Sequence, residues 1–249
     1  MSTSRTGSTA LLRAFANHPD AVAVYQPIKD GCRDLGGTDE DYRVYEQHHP
    51  AFESHHGKVY VSKEVTAYAV RGTPVNVFRS DAEMARVRPV FLIRDPLGAW
   101  RSMRPLITEY TPNALDHFIA AFARLCEYRQ RCKEIAPAAA LTLTMECMAE
   151  HPETVLRRLC MHWGLRFVPQ MLTWTTPIES NMWVPSFVHS YNARDPRVWS
   201  SVRQSTTITK HAVAPNAMPI DDEERRRIEA VLVPAYGRLA AACTRHFMM

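Results

Sequence analysis

Glycine is scarce here, nine residues in 249 against seventeen prolines, which excludes collagen-like and flexible low-complexity repeats. No run approaches the roughly 18 consecutive apolar residues of a membrane-crossing helix. The opening MSTSRTGSTALL lacks a basic leader followed by an apolar core, so the sequence predicts a cytoplasmic protein without a membrane partner. No C-x2-C pair occurs among the cysteines at 32, 126, 132, 147, 160 and 243. That argues against a structural zinc site, and the wide gaps predict reduced, mostly buried thiols and no metal. Charge of one sign is also missing: 30 Lys and Arg stand against 26 Asp and Glu, a formal net charge of +4. No basic run is long enough to wrap DNA or RNA. A small anionic ligand needs only a few well-placed donors, so the positions of the arginines matter more than their number.

What is present is alternation. Residues 8–17 read as a short helix, followed by strand-like AVAVY at 21–25. KVYVS at 58–62, PVFLI at 89–93 and ALTLT at 140–144 are further apolar runs of strand length, PVFLI being the strongest buried-strand signal. Between 113 and 134, Leu115, Phe118, Ile119, Phe122, Leu125 and Cys126 recur at intervals of three and four, the stripe of a helix packed on a sheet. Val155, Leu156, Leu159, Cys160 and Trp163 repeat the pattern over 152–163. Asp221 and Glu224 form a capping box for a final helix, which Pro234 kinks or divides. Short strands alternating with amphipathic helices predict an α/β fold with a mostly parallel sheet. No linker or repeat divides residues 1–249, so one domain is expected. The polar, His-rich stretch 30–57 and the irregular stretch 164–220 read as substrate-binding or lid excursions.

Two places are built for anions. Residues 4–9, Ser-Arg-Thr-Gly-Ser-Thr, run straight into helical ALLRAF. Gly7 permits a tight turn, and the amides that follow, with the open helix end, point at an anion. Ser8 and Thr9 add hydroxyls and Arg5 a guanidinium. The bland alternative is a Ser/Thr-capped helix. This is not the G-x-x-x-x-G-K-[ST] nucleotide loop. In RPVFLIRDPLGAWRSM, 88–103, Arg94 ends the buried strand, Asp95 can cap a helix beginning at Pro96, and Ser102 lies about two turns along. Arg94 and Ser102 can flank one phosphate at the carboxyl edge of a parallel sheet. Alternatively, Arg94 pairs with Asp95 or a distant carboxylate, and Arg101 and Arg104 are surface charge.

These motifs resemble a bacterial-type member of the sulfotransferase family, whose donor is 3′-phosphoadenosine 5′-phosphosulfate. Ser4, Arg5, Thr6, Gly7, Ser8 and Thr9 resemble the family's Pro-Arg-Ser-Gly-Ser/Thr-Thr loop, which holds the 5′-phosphosulfate. Arg94, Asp95, Pro96 and Ser102 resemble the stretch that holds the 3′-phosphate. YQP at 25–27 is similar to a Glu-Pro element, with Gln26 in place of the acid, and TMECMAEHPETVLRRLCMHWGLRF to a later family stretch. The likeness covers 1–165 and fades beyond.

The resemblance implies a P-loop-like three-layer fold, a central mostly parallel sheet flanked by helices. Its first strand is expected to look truncated, since only Met1, Ser2 and Thr3 precede the loop where about five residues are usual: either the start at Met1 lies downstream of the true one, or the family's first strand is missing or replaced. It implies transfer of a sulfuryl group to a hydroxyl or amine of a small molecule, leaving adenosine 3′,5′-bisphosphate, with no metal. Arg5 is then the group at the bridging oxygen, Thr6, Gly7, Ser8 and Thr9 hold the 5′ end, and Arg94 and Ser102 the 3′ end. Lys63 and Glu64 stand where cytosolic members carry Lys-x-His; Val65 occupies the histidine's place, so Glu64 leads as general base and Lys63 as a sulfuryl contact or a strand-end ion pair. His189 and His211 are outside candidates for the base. His48, His49, His55 and His56 are expected at the surface or in the acceptor pocket. Trp199 and Arg203 fall where the family closes over the adenosine, as a stacking ring and a further phosphate donor.

Three other readings stay open. Sulfation could activate a hydroxyl for elimination or cyclisation. A degenerate kinase would need ATP, Mg²⁺ and a loop lysine, where this loop has Arg5. A nucleotide-binding interaction protein would have lost turnover. The oligomeric state, monomer or homodimer, is not set by the sequence.

Overall fold

The computed structural model describes residues 1–3, 5–27, 57–66, 77–78, 80–107, 113–178, 182–183, 200–208 and 219–248. In chain order the elements are α1 (Ser8–Ala16), β1 (Ala21–Tyr25), β2 (Val59–Lys63), α2 (Asp81–Arg86), β3 (Val90–Ile93), α3 (Pro96–Ile107), α4 (Ala114–Ile135), β4 (Leu141–Thr144), α5 (Met145–Glu150), α6 (Pro152–Trp163), a 3₁₀ turn (Pro169–Met171), β5 (Met182–Trp183), α7 (Ser200–Gln204), α8 (Asp222–Val231) and α9 (Val233–Phe247). The fold is α/β, mostly parallel sheet flanked by helices. Its contacts divide into two compact units: residues 1–7, 78–155 and 210–249, and residues 8–77 and 156–209.

In the first unit β3 and β4 pair in parallel, Val90 opposite Leu141 through Ile93 opposite Thr144. All four β3 side chains are buried, as an uninterrupted apolar run requires of a strand covered on both faces. Residues 1–3 lie along β3: the Met1 amino group donates to the Val90 carbonyl at 2.7 Å, Leu92 N–H donates to the Met1 carbonyl at 2.9 Å, and Ser2 forms a parallel bridge with Leu92. A single bridge thus stands where the resemblance implied a strand. Trp100 of α3 and Phe118 of α4 are fully buried with ring centroids 5.4 Å apart. The Asp221–Glu224 capping box forms at α8. The backbone breaks at Leu232, so Pro234 sits in the first turn of a separate α9, where its missing N–H costs nothing.

In the second unit β1 is central, paired in parallel with β2 (Ala21 opposite Val59 to Tyr25 opposite Lys63) and with β5 (Ala23 opposite Met182, Val24 opposite Trp183). α1 packs on β1 and β2 through Leu11, Leu12, Ala14 and Phe15, and Phe15 meets Trp163 edge-on at 4.7 Å between centroids. Met182–Trp183 is a strand inside the stretch expected to be irregular. Two residues carry no periodicity, so it was invisible in sequence.

Among the described residues no helix is long and apolar enough to cross a membrane, and no group of three His, Cys, Asp or Glu side chains gathers to hold a metal. Cys126, Cys132, Cys147, Cys160 and Cys243 are free thiols, all buried except the half-buried Cys126; Cys32 lies outside the described residues, as do Ser4, Trp199, His48, His49, His55, His56, His189 and His211.

Candidate anion site and strand-end cluster

The turn before α1 is unusual backbone. Arg5 (φ 64°) and Gly7 (φ 79°) both adopt left-handed conformation, tolerated by glycine and costing another residue roughly 1–2 kcal/mol. Between them Thr6 is fully buried, its hydroxyl donating to the Thr3 carbonyl at 3.0 Å. Gly7 is required twice over: a Cβ there would stand 2.1 Å from Met145 Sδ. Arg5 is held by interactions running both ways. Its Nε donates to Ser102 Oγ at 3.0 Å, and its carbonyl accepts from Arg94 Nη1 at 3.2 Å. The loop arginine, the strand-end arginine and the helix serine, up to 97 positions apart in sequence, therefore converge within one unit.

The neighbouring turn explains why Arg94 is not neutralised. Asp95 spends its carboxylate as a cap, accepting from Gly98 N–H at 2.7 Å, and the Ala99 N–H bonds its carbonyl at 2.8 Å. Among the described residues Arg94 has no ion pair, which removes the bland reading of it as a salt-bridge partner of Asp95. Gly98 leaves room for the cap; a Cβ at that position would lie 3.0 Å from Asp95 Oδ2. Beneath the turn, Glu146 accepts from Asp95 N–H at 3.1 Å through Oε1 and from the Tyr236 hydroxyl at 3.1 Å through Oε2. Burial and this carboxylate push the Tyr236 phenol well above its ordinary range, so it stays a donor. Arg104, by contrast, is structural: it bonds the Pro219 carbonyl and pairs with Asp221 and Glu224 at the α8 cap.

What this cluster can do chemically follows from its donors. Ser102 Oγ accepts from Arg5, which leaves its own hydroxyl hydrogen to be donated elsewhere. Two guanidiniums beside a hydroxyl and a glycine turn suit an oxyanion with several acceptor oxygens.

The second unit holds another polar group at the carboxyl ends of β1 and β2. Lys63 is 9% exposed; its Nζ donates to Thr9 Oγ1 at 2.9 Å and lies 4.1 Å from the centre of the Tyr25 ring. Glu64 follows it, 3% exposed. Ser8 opens α1, half-buried. Gln26, just past β1, takes a left-handed conformation (φ 44°) and donates its N–H to the Lys63 carbonyl at 2.8 Å. Arg203 is exposed on α7.

Sequence reasoning passed over Arg13. It lies on the buried face of α1, 5% exposed, with Nη2 donating to the Thr176 carbonyl at 2.6 Å, Nη1 to the Ser205 carbonyl at 3.3 Å and also to the Val202 carbonyl, and its guanidinium 5.1 Å from the Trp174 ring centre. Trp174 Nε1 donates to the same Ser205 carbonyl at 2.7 Å. The signal was available: a charge inside the apolar ALLRAF stripe needs buried partners.

No protein-family model matches the chain, and no curated protein matches it in sequence. Among solved structures it is similar to the sulfotransferase domain from the Synechococcus PCC 7002 olefin synthase, at 13% identity and TM-score 0.46 over 87% of this chain and 89% of that one. It is likewise similar to the sulfotransferase domain from the curacin biosynthetic pathway, at 12% identity and TM-score 0.49 over 92% of this chain and 95% of that one.

Proposed function

We propose that the protein is a sulfotransferase that moves a sulfuryl group from 3′-phosphoadenosine 5′-phosphosulfate to a hydroxyl or amine of a small molecule. The observation that carries this reading is the convergence of Arg5, Arg94 and Ser102, two arginines and a hydroxyl, with no carboxylate paired to Arg94 among the described residues. Arg94 and the Ser102 hydroxyl hold the 3′-phosphate. Arg5, with the amides of Thr6 and Gly7 and the start of α1 at Ser8 and Thr9, takes the charge that develops on the 5′-phosphate as the S–O bond breaks. The acceptor oxygen or nitrogen forms the new bond to sulfur and gives up a proton, for which Glu64 is the candidate base. Lys63 is assigned to a sulfuryl oxygen, a role supported by its being held to Thr9 and the Tyr25 face. Arg203 and Trp199 are assigned to the adenosine side.

Calorimetric titration with adenosine 3′,5′-bisphosphate and with adenosine 5′-monophosphate tests the donor class. A preference of tenfold or more for the bisphosphate is expected. Equal affinities, or binding of neither, overturn the reading. Product mass then separates retained sulfate from sulfate used to activate a hydroxyl and lost.

A further inference from the structure

Resting on the reading above, one group at the strand ends has a role that transfer chemistry does not assign it. Gln26 is 6% exposed, and its carboxamide oxygen Oε1 is fully buried with no hydrogen-bond partner among the described residues. Its backbone holds a left-handed conformation that a residue other than glycine adopts at a cost, and the N–H bond to the Lys63 carbonyl fixes it there. So an unpaired acceptor is locked at the carboxyl edge of parallel β1 and β2, the edge where open α/β sheets take their ligands. A buried acceptor left unmade is destabilising to the free protein.

We infer that Gln26 is a binding residue for the acceptor molecule, its Oε1 accepting a hydrogen bond from a hydroxyl or N–H of that molecule. A carboxamide takes a hydrogen bond but not a proton. A hydroxyl nucleophile gives its one hydrogen to Glu64, so the hydrogen that Gln26 holds is a second one, on another group or on the second N–H of an amine. The acceptor accordingly belongs to the class of molecules with at least two hydrogen-bond donors, a diol, catechol or amino alcohol rather than a simple monohydric alcohol.

The test uses the full chain and Gln26→Met, which keeps side-chain length and backbone strain while removing the orphan oxygen. Without ligand, Q26M should unfold about 2–10 °C higher than wild type, the unpaired oxygen having been relieved. An unchanged or lower midpoint means the oxygen is already satisfied, by a held water for example, and overturns the inference. In the second arm, wild type and Q26M saturated with the donor are given catechol and phenol, and radiolabelled sulfate transfer is counted. Wild type should favour catechol at least tenfold and Q26M should lose that preference; absence of the preference in wild type, including transfer to neither, overturns it. Bisphosphate affinity, measured on both proteins, should be the same. If neither binds the bisphosphate, it is the sulfotransferase reading that has failed; if both bind it and the midpoints or preferences do not differ, the Gln26 inference has.

Discussion

Replacing Gly7 with alanine is the sharpest probe of the turn before α1, proposed to hold a phosphate, because two separate costs act at one atom. Backbone at φ 79° disfavours an L-residue by about 1–2 kcal/mol. The new methyl would also stand 2.1 Å from Met145 Sδ and 3.2 Å from Met148 Cε, and such overpacking costs typically about 1–3 kcal/mol. Methionine ends are flexible and can swing aside, so the steric part belongs at the low end, giving about 2–3 kcal/mol overall. For a chain of this size that is a fall of about 4–12 °C in the thermal midpoint. Differential scanning calorimetry of Gly7→Ala, Met145→Ala and the double variant separates the parts. In the double variant the collision is gone and the conformational part remains, so the two changes should couple by about 1 kcal/mol without full rescue. Bisphosphate affinity should stay depressed in the double variant, because the turn's amides remain misdirected. A Gly7→Ala midpoint within 1–2 °C of wild type (on the order of 0.5 kcal/mol) would refute the reasoning. So would a double variant that recovers both stability and affinity.

The other expectations concern charge and tethering. Arg94→Ala should weaken adenosine 3′,5′-bisphosphate about 10–100-fold by calorimetry, the loss of one charge-assisted contact, and should lower the thermal midpoint by a few degrees, about 2–6 °C, because the Arg5 carbonyl loses its Arg94 donor; Arg5→Ala should lower turnover more than it lowers bisphosphate affinity. Arg13→Met removes one donor from each of three carbonyls, of which Ser205 keeps Trp174 Nε1 and Val202 keeps the Ser205 hydroxyl, and should cost about 1–3 kcal/mol, seen as faster proteolysis within 173–178 or 202–208 before global unfolding; an unaltered digestion pattern would count against the clamp. The Cys147 thiol and the Thr144 N–H bond Cys243 and pull its thiol down to about 7 from 9.0, while Cys147 itself is pushed up by that same bond and by burial. A depressed acid stabilises above its unfolded value and loses that contribution as pH falls through its folded one. Stability from Cys243 should thus grow between pH 7 and 9, and Cys147→Ala should flatten that slope in thermal melts.

The local elements were legible in the amino-acid order. Periodicity placed α4 and α6 within a residue of their ends, four consecutive apolar residues marked β3, and Asp221 with Glu224 announced the α8 cap. Such signals depend only on neighbours along the chain. Asp81–Arg86 and Met145–Glu150 were missed because helices of six residues with one or two buried side chains hardly register as periodic. The two turns proposed to hold anions were visible as turns, since glycine before a helix and Arg-Asp-Pro after a strand are local patterns; that Arg5, Arg94 and Ser102 meet was not.

Residue order alone fixed which groups carry charge and which segments coil or extend, because propensity and spacing act over a few bonds. Tertiary structure alone decided that Arg5 meets Ser102 and Arg94, that residues 1–3 lie along β3, that Asp95 caps rather than neutralises, and that Gln26 buries an oxygen with no partner among the described residues. Those facts depend on which distant backbones pack together, and pairing across that many residues leaves no mark on either partner's own neighbourhood.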